Sequence, residues 1–116
     1  MNSTIFKIRS EGPLRGELRL PGDKSIAHRA LIFASLAKGK SRIGRLPEGK
    51  DVLATMRALT SLGVKFETSG DALFVYGTGG TYKIPDKAID CVNSGTTLRL
   101  LAGLCAGAGV PCMLTG

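Results

Sequence analysis

The sequence predicts a mixed α/β (α+β) fold in which strands and helices alternate and one supersecondary unit repeats. Three observations carry this expectation. A period-two stretch, with Leu14, Leu18 and Leu20 set between Arg15, Glu17 and Arg19, marks a strand buried on one face. Two apolar segments, Ile26 to Ala37 and the residues after Asn93, are long enough for helices, and each runs to a glycine, Gly39 or Gly109. At an offset of 70 residues, Asp23 superposes on Asn93, Arg29 on Arg99, Leu31 on Leu101 and Gly39 on Gly109. Both segments therefore place a capping-type residue six positions before an arginine and then continue as an apolar helix.

Taken in chain order, Ile5 to Arg9 can pair with Leu14 to Leu20 across Glu11-Gly12-Pro13, so a hairpin is expected first. Pro21-Gly22 ends it, and Asp23 or Ser25 can cap a helix over Ile26 to Ala37. Ala27, Ala30, Leu31 and Ala34 form one stripe of that helix while Ile26, Ile32, Phe33 and Leu36 occupy its other faces, which predicts burial nearly all round. Ser41 to Leu46 suits a short strand. Asp51 can cap a second helix, with Val52, Met56, Leu59 and Leu62 inward, Arg57 and Thr60 outward, and a stop at Gly63. Val64 to Thr68 and Ala72 to Tyr76 flank Ser69-Gly70-Asp71, the pattern of a hairpin with a three-residue loop. A second unit begins near Ala88 and reaches its next strand at Leu114-Thr115. The expected division is residues 1–21, 22–88 and 89–116, the last an unfinished unit, so the chain reads as a piece of a longer protein.

The net charge of +7 implies a positive field that concentrates anions, whether metabolites, nucleic acid or a membrane surface. Two Tyr, four Phe, no Trp and the absence of a Lys/Arg run argue against nucleic acid. No stretch approaches the ~20 apolar residues of a membrane span, and the N-terminus lacks the apolar region of a signal peptide, so no membrane partner and a cytoplasmic location are expected. Cys91, Cys105 and Cys112 are spaced as neither a zinc site nor a redox pair and read as buried free thiols. Thr78-Gly79-Gly80-Thr81 lacks the lysine and helix of a phosphate-binding loop. Neither a metal nor a cofactor is expected.

The chemistry concentrates at the two helix starts. A lysine beside a helix N-terminus is disfavoured by the macrodipole, so Lys24 needs another explanation. Lys24, Ser25 and Arg29 together offer an ammonium, a hydroxyl and a planar guanidinium fork to an anion. The competing account is a solvated lysine, a capping serine and an arginine paired with Asp23 or Asp51. At the second start Gly95 leaves the backbone open to a ligand, and Thr96 and Thr97 add hydroxyls, although a plain cap by Asn93 or Ser94 explains the same residues. His28, the single histidine, has no partner at metal-ligand spacing, and neither a catalytic nor a metal role is expected of it.

With these residues assembled, the chain resembles the N-terminal part of the 3-phosphoshikimate 1-carboxyvinyltransferase (EPSP synthase) family over essentially its whole length. The resemblance rests on Leu20-Pro21-Gly22-Asp23-Lys24-Ser25 with His28-Arg29-Ala30, on Gly49-Lys50-Asp51-Val52, and on Asn93-Ser94-Gly95-Thr96-Thr97 with Arg99. The sister UDP-N-acetylglucosamine enolpyruvyl transferases have asparagine where this chain has Ser25. That family, and a stand-alone anion- or RNA-binding module, are the alternatives.

The resemblance implies repeats of a βαβαββ unit forming the inverse α/β barrel of enolpyruvyl transferases, here truncated in the second repeat. It implies two domains with substrates in the cleft between them, and an opening hairpin that belongs with the second domain. The implied reaction moves the carboxyvinyl group of phosphoenolpyruvate to the 5-hydroxyl of shikimate 3-phosphate and releases phosphate. Lys24 is then the lysine shared by both substrates and the catalytic residue; Ser25 and Arg29 contact shikimate 3-phosphate, with Arg29 facing its carboxylate. Gly95 belongs to the phosphoenolpyruvate site, with Asn93, Thr96, Asp51 and Arg99 in support. Glyphosate competes for that site, and tolerant forms carry alanine at the position of Gly95. The remaining catalytic groups of the family lie beyond residue 116, so the chain alone is expected to be inactive. The complete family member is expected to be a monomer, and the fragment is expected to be able to self-associate through faces left uncovered.

Overall fold

Asp23 accepts a hydrogen bond from the Ile26 N–H at 3.0 Å and so starts the first helix, α1, over Lys24–Leu36. The computed structural model describes residues 4–18, 20 and 22–116. After α1 follow β1 (Lys38–Gly44), α2 (Lys50–Ser61), β2 (Lys65–Ser69), β3 (Ala72–Thr78), β4 (Ile89–Asp90), α3 (Gly95–Ala108) and β5 (Leu114–Thr115). Helix and strand are mixed as expected. β1, β3 and β2 form an antiparallel sheet in that spatial order, while β4 and β5 pair in parallel across the α3 crossover.

The opening hairpin is not formed: residues 4–18 and 20 carry no strand. Ile5, Phe6, Ile8, Leu14, Leu18 and Leu20 are all exposed, so their apolar alternation faces no surface. A two-stranded ribbon without a covering layer is marginal in water, which is the physical reason for the difference. Arg19 and Pro21, on which that expectation also drew, lie outside the described residues, as do residues 1–3.

α1 begins two residues before the expected start and is buried on one face only, through Ala27, His28, Leu31, Ile32, Ala34 and Ser35. Ile26 and Phe33 point outward at 68% and 67% exposure, so its all-round apolarity does not mean all-round burial. Gly39 is not its stop. The helix ends at Ala37 in extended backbone, and Gly39 lies inside β1, which begins at Lys38 because its register runs from Lys38↔Thr78 to Gly44↔Ala72. This junction is tight: a Cβ on Gly77 would lie 1.9 Å from the Ala37 carbonyl oxygen, so only glycine lets β3 pass the end of α1.

In α2, Val52, Ala54, Thr55, Ala58 and Leu59 are buried, and Arg57 and Thr60 face outward as predicted. The β2–β3 loop has two residues rather than three, because Ser69 pairs with Ala72. α3 ends at Gly109, whose left-handed φ of 69° suits the glycine expected there. It is capped by Ser94, one residue later than the 70-residue offset places the cap, with the Ser94 hydroxyl accepting the Thr97 N–H at 3.1 Å. The repeat nevertheless aligns the core, since Leu31 and Leu101 are both fully buried.

Leu31 of α1, Leu59 and Leu62 at the end of α2, Val75 of β3 and Leu101 of α3 form the centre of one core, and the three helices pack against one another. Each such side chain contributes about 1.5–3 kcal/mol by burial. That packing decides where the helix ends meet.

Candidate anion site at three helix N-termini

The first turn of α2 joins the other two helices. The Asp51 carboxylate accepts the Val52 N–H through Oδ1 at 3.0 Å, and Lys24 Nζ of α1 lies 3.6 Å from the same oxygen. The second oxygen, Oδ2, faces His28 Nε2 at 3.8 Å, an electrostatic contact too long for a hydrogen bond. The Asp51 carbonyl accepts from the Thr97 hydroxyl of α3 at 3.3 Å. The N-terminal regions of α1, α2 and α3 therefore converge, each with first-turn N–H groups that no helical carbonyl reaches.

This answers the question that Lys24 posed. Its ammonium sits against Asp51, yet 58% of the side chain is exposed, and an exposed pair of this kind contributes little stability. The lysine sits at the rim of the convergence. Asp51 is held below the usual carboxylate range: partial burial pushes it up, but the Val52 N–H and the Lys24 ammonium outweigh that effect.

Beneath the rim runs a buried chain of polar groups. His28 Nδ1 lies 2.6 Å from Thr55 Oγ1, which lies 2.8 Å from Thr97 Oγ1, which donates to Ser94 Oγ at 2.7 Å. His28, Thr55, Thr97 and Ser94 are all buried, so the chain fastens the three helix starts together. Burial pushes the proton affinity of His28 down; the Asp51 carboxylate opposes this, while the Arg29 and Lys24 cations reinforce it.

The two arginines behave alike. Arg29 Nη1 donates to the Ser25 carbonyl at 3.0 Å, folding the guanidinium back over the first turn of α1. Arg99 folds back in the same way: its Nη1 would lie 3.1 Å from a Cβ placed on Gly95, four residues earlier. Among the described residues Arg29 makes no ion pair with Asp23 or Asp51, which removes that part of the competing account. Ser25 is exposed and does not cap, because Asp23 does.

At the start of α3, Gly95, Asn93 and Arg99 are exposed and Thr96 is half-buried. Thr97 departs from expectation. It is fully buried with its hydroxyl and N–H both engaged internally, so it joins the helices rather than facing a ligand. Asn93 is not the cap; together with Val92 it holds a left-handed φ, 56° and 49° respectively, which bends the chain from β4 into Ser94. That conformation is strained for the β-branched Val92.

Sequence reasoning set His28 aside and missed Thr55. The available signal was a polar residue on a buried stripe: Thr55 lies between Val52 and Leu59, and His28 precedes Leu31 and Ile32 at helical spacing. A cavity of about 640 Å³ lies between α2 and the β2–β3 hairpin, lined by Leu46, Leu53, Met56 and Leu73 among others, and contains none of the candidate residues.

Cys91 and Cys105 are buried free thiols, with Cys112 half-buried. Burial pushes Cys105 up to about 12, and neighbouring Cys112 adds to the effect. No helix among the described residues is long and apolar enough to cross a membrane.

Comparison with known proteins matches residues 8–116 to the family described as EPSP synthase (3-phosphoshikimate 1-carboxyvinyltransferase). The 3-phosphoshikimate 1-carboxyvinyltransferase of Lactococcus lactis subsp. lactis is 48% identical over 103 residues, covering 88% of this chain and 24% of that protein. Its counterpart in Streptococcus gordonii is 44% identical over 113 residues, covering 96% of this chain and 26% of that protein. Among solved structures, EPSP synthase from Acinetobacter baumannii superposes with a TM-score of 0.71 at 37% identity, over 77% of this chain and 21% of that one. The chain thus spans about a quarter of the length of the relatives it matches.

Proposed function

The chain belongs to the EPSP synthase (3-phosphoshikimate 1-carboxyvinyltransferase) family, and on that premise we infer that it supplies one wall of an enolpyruvyl transfer site. The observation that carries this reading is the meeting of three helix N-termini around Asp51 with Lys24 at the rim. Phosphoenolpyruvate and shikimate 3-phosphate each carry a carboxylate and a phosphate, and such a convergence attracts several negative charges at once.

In this reading Lys24 lies between the two substrates. Ser25 and Arg29 take shikimate 3-phosphate, and Gly95, with Asn93, Thr96, Asp51 and Arg99 around it, takes phosphoenolpyruvate. The reaction protonates the methylene carbon of phosphoenolpyruvate, while the 5-hydroxyl oxygen bonds the adjacent carbon and gives up its proton. Loss of phosphate and of a methyl proton from that tetrahedral intermediate restores the double bond. The cations stabilise negative charge throughout. Residues 1–21, 22–88 and 89–116 then serve as a crossover segment, a first repeat and the start of a second, in a protein that works as a cytoplasmic monomer.

Titration of the chain with shikimate 3-phosphate and phosphoenolpyruvate, followed by amide shifts, tests the assignment. Shifts centred on Lys24–Arg29, Asp51 and Asn93–Arg99 are expected. A response to a short RNA with none to either acid would replace the reading with a nucleic-acid-binding module.

A further inference from the structure

Among the buried polar side chains described in this region, His28 is the one with an atom left unpartnered. It is 1% exposed, and its Nε2 is buried without a hydrogen-bond partner. A buried nitrogen left in this state is costly, so its orientation calls for a reason.

The hydroxyl chain sets the tautomer. Thr97 has one hydroxyl proton, and it is directed to Ser94 Oγ or to the Asp51 carbonyl. Thr55 must then donate to Thr97, and the 2.6 Å contact with Thr55 is completed only if His28 Nδ1 carries a proton. Neutral His28 accordingly turns a bare Nε2 toward Asp51 Oδ2, 3.8 Å away. Two acceptors face each other, the buried imidazole nitrogen and a carboxylate that is about one third exposed, and lack one proton between them.

The charged groups acting on this imidazole are few. On its own helix they are Lys24 and Arg29, both cations of the candidate site; from α2 comes Asp51; α3 contributes the uncharged Thr97 through Thr55. A doubly charged anion seated at Lys24 and Arg29 cancels the two charges that oppose protonation of His28. It also competes with Asp51 for Lys24, leaving the carboxylate free to act on the ring.

We propose that His28 is a positioning residue through which anion binding takes up a proton from solvent: the proton enters at Nε2 and is donated to Asp51 Oδ2, drawing the carboxylate away from Lys24. The empty site keeps Lys24 paired with Asp51, and the filled site pairs Asp51 with the imidazolium instead. The inference rests on the anion site but on no particular substrate.

Because the chain has a single histidine, NMR of its ring reports the event without ambiguity. Sulfate is the probe, since it does not itself titrate near neutrality, with sodium chloride at matched ionic strength as the control. The expected result is an Nδ1-protonated neutral ring that titrates below 6.5 without sulfate and at least about half a unit higher with saturating sulfate, so that sulfate binds more tightly below both titration points than at pH 7.5, approaching about threefold through this group. In His28→Gln that component of the pH dependence disappears while sulfate still binds. Thr55→Val, which removes the partner of Nδ1, lets the ring adopt the other tautomer.

Amide shifts at Lys24–Arg29 with an unmoved histidine titration would overturn the proposal and leave the functional reading standing. A moved titration without any response to phosphoenolpyruvate or shikimate 3-phosphate would support the proposal and overturn that reading. No amide response to sulfate would overturn the proposal, and the functional reading would fall with it only if the two acids also left the amides unmoved.

Discussion

Asp51 Oδ1 lies 3.6 Å from Lys24 Nζ, across the gap between the first turns of two different helices. The contact links a local anomaly, a cation at the positive end of a helix dipole, to a tertiary cause. α2 brings a carboxylate to that spot and shares it with His28 of α1, while Thr97 of α3 holds the same residue by its backbone. The lysine is retained without strong pairing, which suits a group meant for an incoming anion.

Acid should weaken the fold in two separable stages. His28 has a lowered proton affinity in the folded chain, so the unfolded chain binds more protons as pH falls through about 6.5, and stability declines there. Asp51 is also depressed; its contribution is present above the ordinary carboxylate range and is lost as pH falls through its lower folded value. Urea unfolding between pH 8 and 3 reads both stages. His28→Gln should flatten the first and leave the second.

Gly77→Ala should be among the most damaging single-methyl changes available. The added carbon meets the backbone of Ala37 and the carbonyl of Ala34, and neither can rotate away. A loss of about 3 kcal/mol in urea unfolding is expected. A loss below about 0.5 kcal/mol would show that the α1–β1 junction is looser than described.

Gly95→Ala should act differently, because its methyl meets the far end of a flexible side chain. The Arg99 guanidinium has to yield by a few tenths of an ångström, and the helix itself accepts alanine. Thermal unfolding should therefore be unchanged or slightly raised, while phosphoenolpyruvate binding weakens severalfold. Equal phosphoenolpyruvate titrations for parent and variant would remove Gly95 from the site.

Much of the fold was legible locally. The three helices, the β2–β3 hairpin, the outward Arg57 and Thr60 and the glycine stop of α3 all follow from periodicity and capping chemistry, which act within a few residues. The same local signals failed where a partner surface decides the outcome. Leu14, Leu18 and Leu20 alternate like a strand but have nothing to cover them, and Phe33 is apolar yet faces outward. Gly39 looked like a helix stop and is a strand residue, because the register with β3 claims it.

The site divides in the same way. From sequence alone came the cations at the first helix start, the open glycine at the second, their relation by an internal repeat and the family they resemble, since each depends on residue type and spacing along the chain. Packing of Leu31, Leu59 and Leu101 into one core decided that three helix starts meet, that Thr97 turns inward, and that His28 lies between Thr55 and Asp51. Those relations join residues more than 20 positions apart, and only the burial of a shared core brings such residues within hydrogen-bonding range.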